Sequence, residues 1–112
     1  MTATPRIRRV IIETPYAGAT EANIAYARAC MRDSLERGEA PMMSHLLYTQ
    51  ALDDTIPEER ALGIAAGLGW GEVCDLWVVY TDLGISKGMK EGIARAEELG
   101  KPIEHRTLEG GL

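Results

Sequence analysis

Long apolar runs are missing from this chain, and so are most of the residue clusters that announce chemistry. No uninterrupted hydrophobic stretch approaches the ~20 residues that a membrane-crossing helix needs. The segment Met1 to Arg9 is polar and basic with no apolar stretch behind it, so no secretory leader is expected. Its arginines, Arg6, Arg8 and Arg9, are expected at a solvated edge. Cysteine occurs only at Cys30 and Cys74, far apart and in segments expected to be buried. That argues against a disulfide framework and for reduced structural thiols in a cytoplasmic protein. No His/Cys cluster has metal-ligand spacing and no Ser-His-Asp order is found, so neither a metal nor a cofactor is called for. Repeats, low-complexity tracts and linkers are absent as well.

Basic charge is also scarce. Twelve Lys and Arg face 17 Asp and Glu, a formal charge of −5. A general nucleic-acid partner needs a basic face and is not expected. A local basic site for one phosphorylated ligand is compatible with that total. The hydrophobic share of 46% suffices for one modest core, and 112 residues are too few for two domains. One domain over 1–112 is expected, with 1–7 and 107–112 as loose ends. Because so small a chain buries a limited share of its surface, association would help it.

What is present alternates between strand and helix. Val10-Ile11-Ile12, within Arg8 to Glu13, has the β-branched run of a buried parallel strand. Thr14 to Gly18 is a turn, and Thr20 caps a helix to about Arg37, ended by Gly38. Its core-facing stripe is expected at Ile24, Ala27, Met31 and Leu35. Ala40 to Ser44 reads as a weak second strand, followed by a longer connection from His45 to Ile56. Thr55-Ile56-Pro57-Glu58 has the form of a capping box opening a helix to about Glu72. Cys74 to Tyr80 is the third strand, Gly88 to Leu99 the third helix and Pro102 to Arg106 the last strand; Glu109 to Leu112 is expected to fray.

This order predicts a small doubly wound α/β fold: a parallel sheet of about four strands with helices on both faces. Ligands of such sheets bind beyond the carboxyl ends of the strands, where the strand order reverses. With order 2-1-3-4, the Thr14–Gly18 and Thr81–Lys87 loops face each other there.

The second of those loops runs through Ser86-Lys87-Gly88-Met89 into a helix. Free N–H groups and the dipole at such a helix start favour a phosphate or carboxylate. Lys87 and Lys90 occupy the first turn, where the dipole alone would prefer acids, which hints at an anionic ligand. The plainer alternative is that Ser86 is an N-cap and the lysines are solvated. Tyr16 can stack on a base or bond a sugar, or be a half-buried loop tyrosine. His45 can touch a ligand or be a capped loop histidine. Asp53 and Asp54 can serve a ligand or only form a turn. Asp82 follows the third strand directly, at a privileged position. Gly67-Leu-Gly69-Trp-Gly71 follows a helix and its third glycine comes too soon for a dinucleotide fingerprint; close packing is expected instead.

Thr14-Pro15-Tyr16, Ala40-Pro41 with Ser44-His45-Leu46-Leu47, Leu52-Asp53-Asp54, Pro57-Glu58-Glu59-Arg60 and Ile85-Ser86-Lys87-Gly88-Met89 occur in that order over about residues 8–106. The set resembles a family of small phage and prophage proteins related to nucleoside 2-deoxyribosyltransferases. The resemblance implies a flavodoxin-like sheet, a homo-oligomer with pockets near subunit contacts, and a nucleoside or nucleotide ligand. In the transferases a nucleophilic glutamate lies four residues after the turn glycine of the last helix. A tyrosine after the first strand orients it, and an aspartate handles the base. Four residues after Gly88 this chain has Gly92, and its glutamate is Glu91, turned by ~100°.

Losing a pocket carboxylate removes negative charge and makes room, which favours holding an anionic ligand over cleaving a glycoside. The first expectation is therefore a module that binds and sequesters a small nucleotide-like ligand, in a phage-encoded chain a host immune signal. Its contacts would be Thr14, Pro15, Tyr16, His45, Asp54, Asp82, Ser86, Lys87, Gly88 and Met89. The alternative is a deoxyribosyltransferase or N-glycoside hydrolase with Glu91 as nucleophile and Asp82 or Asp54 as acid. A structural oligomer with a vestigial pocket is the third.

Overall fold

The computed structural model describes residues 6–16 and 20–108. Its elements are β1 (Arg9–Glu13), α1 (Glu21–Glu36), β2 (Ala40–Met42), α2 (Ser44–Leu47), α3 (Pro57–Val73), β3 (Leu76–Tyr80), α4 (Lys87–Glu98) and β4 (Ile103–Arg106), with a 3₁₀ turn at Tyr48–Gln50. The four strands are all parallel, in the order β2-β1-β3-β4. β1 pairs with β3 from Val10↔Leu76 to Glu13↔Val79, and both end where the chain order reverses.

Period-two alternation divides the core between the two faces of the sheet. Val10, Ile12, Leu76, Val78 and Tyr80 pack with Tyr26, Ala27 and Cys30 of α1. Ile11 and Trp77 pack with Ala96 of α4 on the other face, joined by Met42, Leu99 and Ile103. Every residue of β3 is buried, as a strand covered on both sides must be. Cys30 and Cys74 are buried and free.

The glycines of α3 are close-packing positions in part. A Cβ on Gly71 would stand 2.8 Å from the Trp77 ring, and one on Gly67 3.2 Å from Ser44 Oγ, whereas Gly69 faces open space. Trp70 lies at the surface and donates from Nε1 to Tyr48 Oη at 2.8 Å.

Two local expectations are corrected. The buried stripe of α1 is Tyr26, Ala27, Cys30 and Ser34; of the expected stripe Ala27 is buried and Met31 packs against the same cluster, while Leu35 is 54% exposed. Polar tethers turn the helix: Tyr26 Oη donates to Asp82 at 2.5 Å, Ser34 Oγ to Glu39 at 2.8 Å, and Tyr80 Oη to Asp33 at 2.7 Å. The capping box does not form. Thr55 donates its hydroxyl and its N–H to Asp53 Oδ1, and Ile56 caps α3 without a side-chain bond. Pro57 at the first helical position leaves one amide fewer to satisfy, and the Ile56 N–H that a box would cover bonds the Asp53 carbonyl at 3.1 Å instead. The amino-terminal arginines lie at a solvated edge as expected, each more than half exposed, and they are paired there: Arg6 forks onto Asp75 at 2.8 and 3.0 Å, and Arg8 meets Glu39 at 2.8 Å.

Beneath α1, Arg106 from β4 places Nη1 and Nη2 each 2.7 Å from the Glu39 carboxylate, both side chains almost wholly buried. Its Nε also donates to Glu104. The Arg106 bond, aided by Ser34, holds the Glu39 carboxyl down at about 2 against desolvation. Removing one partner from such a pair strands the other charge in the core. Glu39→Gln should therefore cost about 3–5 kcal/mol in urea unfolding near neutral pH. Because the folded value is the lower one, the deficit should close as pH falls from about 4.5 towards about 2.

Candidate functional site

Where β1 and β3 end, the loop after β1, α2, α3 and the start of α4 enclose a cavity of 370 Å³. Thr14, Tyr16, His45, Asp54, Ser86, Lys87, Gly88 and Met89 all line it, and Glu91 does too. Elements distant in sequence thus bring eight of the ten expected contact residues together. Pro15 does not line it, and Ala17 and Gly18 of the same loop lie outside the described residues. Asp82 is not part of it either. Its carboxylate accepts from Tyr26 Oη and from the Leu108 N–H, tying α1 to the segment after β4.

The start of α4 keeps its anion-binding character. Ser86 Oγ accepts from the Met89 N–H at 3.2 Å, and the Met89 sulfur accepts the Ser86 N–H at 3.3 Å. Ser86 is thus the N-cap, and Lys90 N bonds the Ser86 carbonyl. The N–H groups of Lys87 and Gly88 have no intrahelical acceptor. Lys87 borders the cavity there; Lys90 does not.

Across from this turn, Tyr16 and His45 meet edge to face, ring centroids 5.3 Å apart at 72°. His45 Nε2 and Thr14 Oγ1 are 2.8 Å apart. Burial lowers the His45 pKa to about 4, so the imidazole is neutral at physiological pH. It is a polar wall rather than a cation. Charge comes instead from Arg60, Lys87 and Arg95 against Glu13, Asp54, Glu59 and Glu91. Arg60 and Glu91 approach within 3.9 Å at the rim, both half exposed.

Sequence reasoning missed Glu13. It ends β1 and lines the cavity, and Trp77 Nε1 donates to its Oε2 at 3.0 Å. Its carboxyl stands over Gly92: a Cβ added there would fall 2.6 Å from Oε1 and closer still to Cδ and Oε2. Gly92 is therefore not a vacancy. The inference that its missing side chain removes charge and makes room is corrected, because a carboxyl from the neighbouring strand fills that room. The signal was available. A lone acid closing an apolar parallel strand lies where such sheets bind ligands. Arg60, Arg95 and Tyr48 also line the cavity and were not anticipated.

A family model described as a domain of unknown function (DUF7768) matches residues 8–106. No curated protein matches the chain significantly. Among solved structures, a 2-deoxyribosyltransferase from the psychrotolerant bacterium Bacillus psychrosaccharolyticus is similar, with a TM-score of 0.68 and 12% identity. The match covers 88% of this chain and 72% of that one. At that identity the likeness establishes the fold.

Desolvation raises the Glu13 carboxyl to about 7, with the Trp77 bond and the Arg95 charge pulling the other way. A raised carboxyl loses stability for the fold as pH rises from about 4.5 to about 7. Glu13→Gln escapes that loss. Its stability relative to the unmodified protein should improve by about 1–3 kcal/mol between pH 4.5 and about pH 8, read from thermal melts. A constant difference across that range would contradict the assignment.

Proposed function

The chain belongs to the DUF7768 family, and we propose that it binds a small nucleotide-like molecule in the cavity between β1 and α4. The observation that carries this reading is the convergence of two kinds of wall on one space. One is the start of α4 with Ser86, Lys87 and Gly88, suited to a phosphate. The other is the Tyr16–His45 pair, which offers an apolar edge for a ring and polar atoms for a sugar. Asp54 and Met89 complete the contacts, and no metal or cofactor enters the proposal.

Holding the ligand without turning it over is the finer form of this reading. In a phage-encoded chain working in the host cytoplasm, the molecule held would be a host nucleotide immune signal. The support for that role is the family likeness. A homo-oligomer belongs to the same proposal: Leu62, Trp70 and Val73 leave apolar surface on α3, each about half exposed.

One observation favours a second reading, N-glycosidic cleavage or transfer. The cavity contains a carboxyl where Gly92 leaves space, supplied by Glu13, besides Glu91 at the rim. Asp82, turned away onto Tyr26, leaves Asp54 as the acid of that reading.

A panel of nucleosides, nucleotides and cyclic or NAD-derived nucleotides separates the two. Each is incubated with the protein and chromatographed before and after heat denaturation. A compound that vanishes and returns intact is held; a free base means cleavage. Lys87→Glu should weaken capture at least ~10-fold, since it reverses the charge beside the phosphate position. Glu91→Gln should leave capture within about twofold, because its exposed carboxylate contributes little. Capture unaffected by Lys87→Glu would contradict the proposed phosphate position.

A further inference from the structure

Glu13 has one oxygen engaged and one free. Oε2 accepts the Trp77 indole N–H, while Oε1 has no partner among the described residues. No buried side-chain oxygen among those residues lacks a partner, so Oε1 is open to the cavity that Glu13 lines. Gly92 makes this placement possible, since any side chain there would push the carboxyl aside. A purely structural acceptor for Trp77 would not need a charge, and an amide would serve the indole without the desolvation that raises this carboxyl to about 7. A costly carboxyl at the wall of a cavity points to a ligand.

We infer that Glu13 Oε1 is the acceptor that selects a hydroxyl-bearing sugar, while the start of α4 takes the phosphate of the same molecule. The inference rests on the nucleotide-binding reading above and deepens it. Gly88, at the phosphate end, and Gly92, beneath Glu13, are one helical turn apart, about 6 Å along the axis. That is the reach of a sugar phosphate from its phosphorus to its ring hydroxyls. A ligand with an anionic end and a donor end fits this polarity, whereas a simple dianion would set its second charge against Glu13. Arg95 lines the same cavity and moderates the negative charge of Glu13.

A site whose acceptor is taken out of water by the bound ligand rejects an analogue that lacks the donor, because the acceptor is then left unpaired. The test is calorimetry at about pH 8, where a carboxyl with a pKa near 7 is mostly ionised. The probes are ribonucleoside 5′-monophosphates and their 2′,3′-dideoxy counterparts. For whichever base binds, the ribo form should bind at least ~10-fold tighter. In Glu13→Gln the amide keeps the Trp77 bond through its carbonyl and turns N–H groups to the cavity. The preference should then fall to within about twofold, with the melting temperature not lowered. Gly92→Ala, which displaces the carboxyl, should do the same; if that variant fails to fold, Glu13→Gln decides alone. Equal binding of ribo and dideoxy forms by the unmodified protein overturns the inference and leaves the binding reading standing. So does a preference that survives Glu13→Gln. Binding of none of the probes overturns the inference, and the wider capture panel above then decides the binding reading.

Discussion

Trp77 sits in the middle of the sheet with its ring buried, and the α3–α4 face is arranged around it. Room for that ring exists only where neighbouring side chains are missing or small. Gly71 lets α3 approach the indole, and Ala96 and Leu99 close over the same face from α4 and the turn that follows it. The indole N–H then needs an acceptor, since a buried donor left unpaired costs about 1–3 kcal/mol. Glu13 supplies it from the end of β1. That demand fixes the carboxyl beneath α4, which in turn requires Gly92 to have no side chain. One bulky aromatic thus determines two glycines and the place of an acceptor at the cavity floor, though not that the acceptor carries a charge.

The opposite face has a different character. Under α1 the polar groups are spent on one another: Arg106 on Glu39, Ser34 on Glu39, Tyr80 on Asp33, Tyr26 on Asp82. Such a satisfied network ties α1 to the sheet and to both of its edges. The cavity side keeps its unspent groups, namely the N–H groups at the start of α4, Lys87 and Glu13 Oε1. Function is expected where polar groups are left incompletely paired, as these are.

Much of this was legible in the chain. The β-branched run of β1, the apolar run of β3 and the Ser86–Gly88 turn specify a parallel sheet and the loops that meet above it, because they are short-range patterns with one structural solution. The face of α1 was legible in part, since Ala27 and Met31 lie on it but the apolar pattern also points to Leu35, and the tethers through Tyr26 and Ser34 show which side is buried. Asp82 has the right place in sequence but a tyrosine from another element claims it. Glu13 shows the same limit from the other side. Counting along α4 finds a carboxylate missing at Gly92, and no count within one helix can reveal that a strand has supplied one.

The most direct measurement of the account is a crystal structure of the protein with a bound ribonucleoside 5′-monophosphate. The phosphate is predicted at the N–H groups of Lys87 and Gly88, with a sugar hydroxyl within hydrogen-bond distance of Glu13 Oε1 and Trp77 still on Oε2. A ligand seated away from α4, or a Glu13 side chain swung out with water over Gly92, would contradict it.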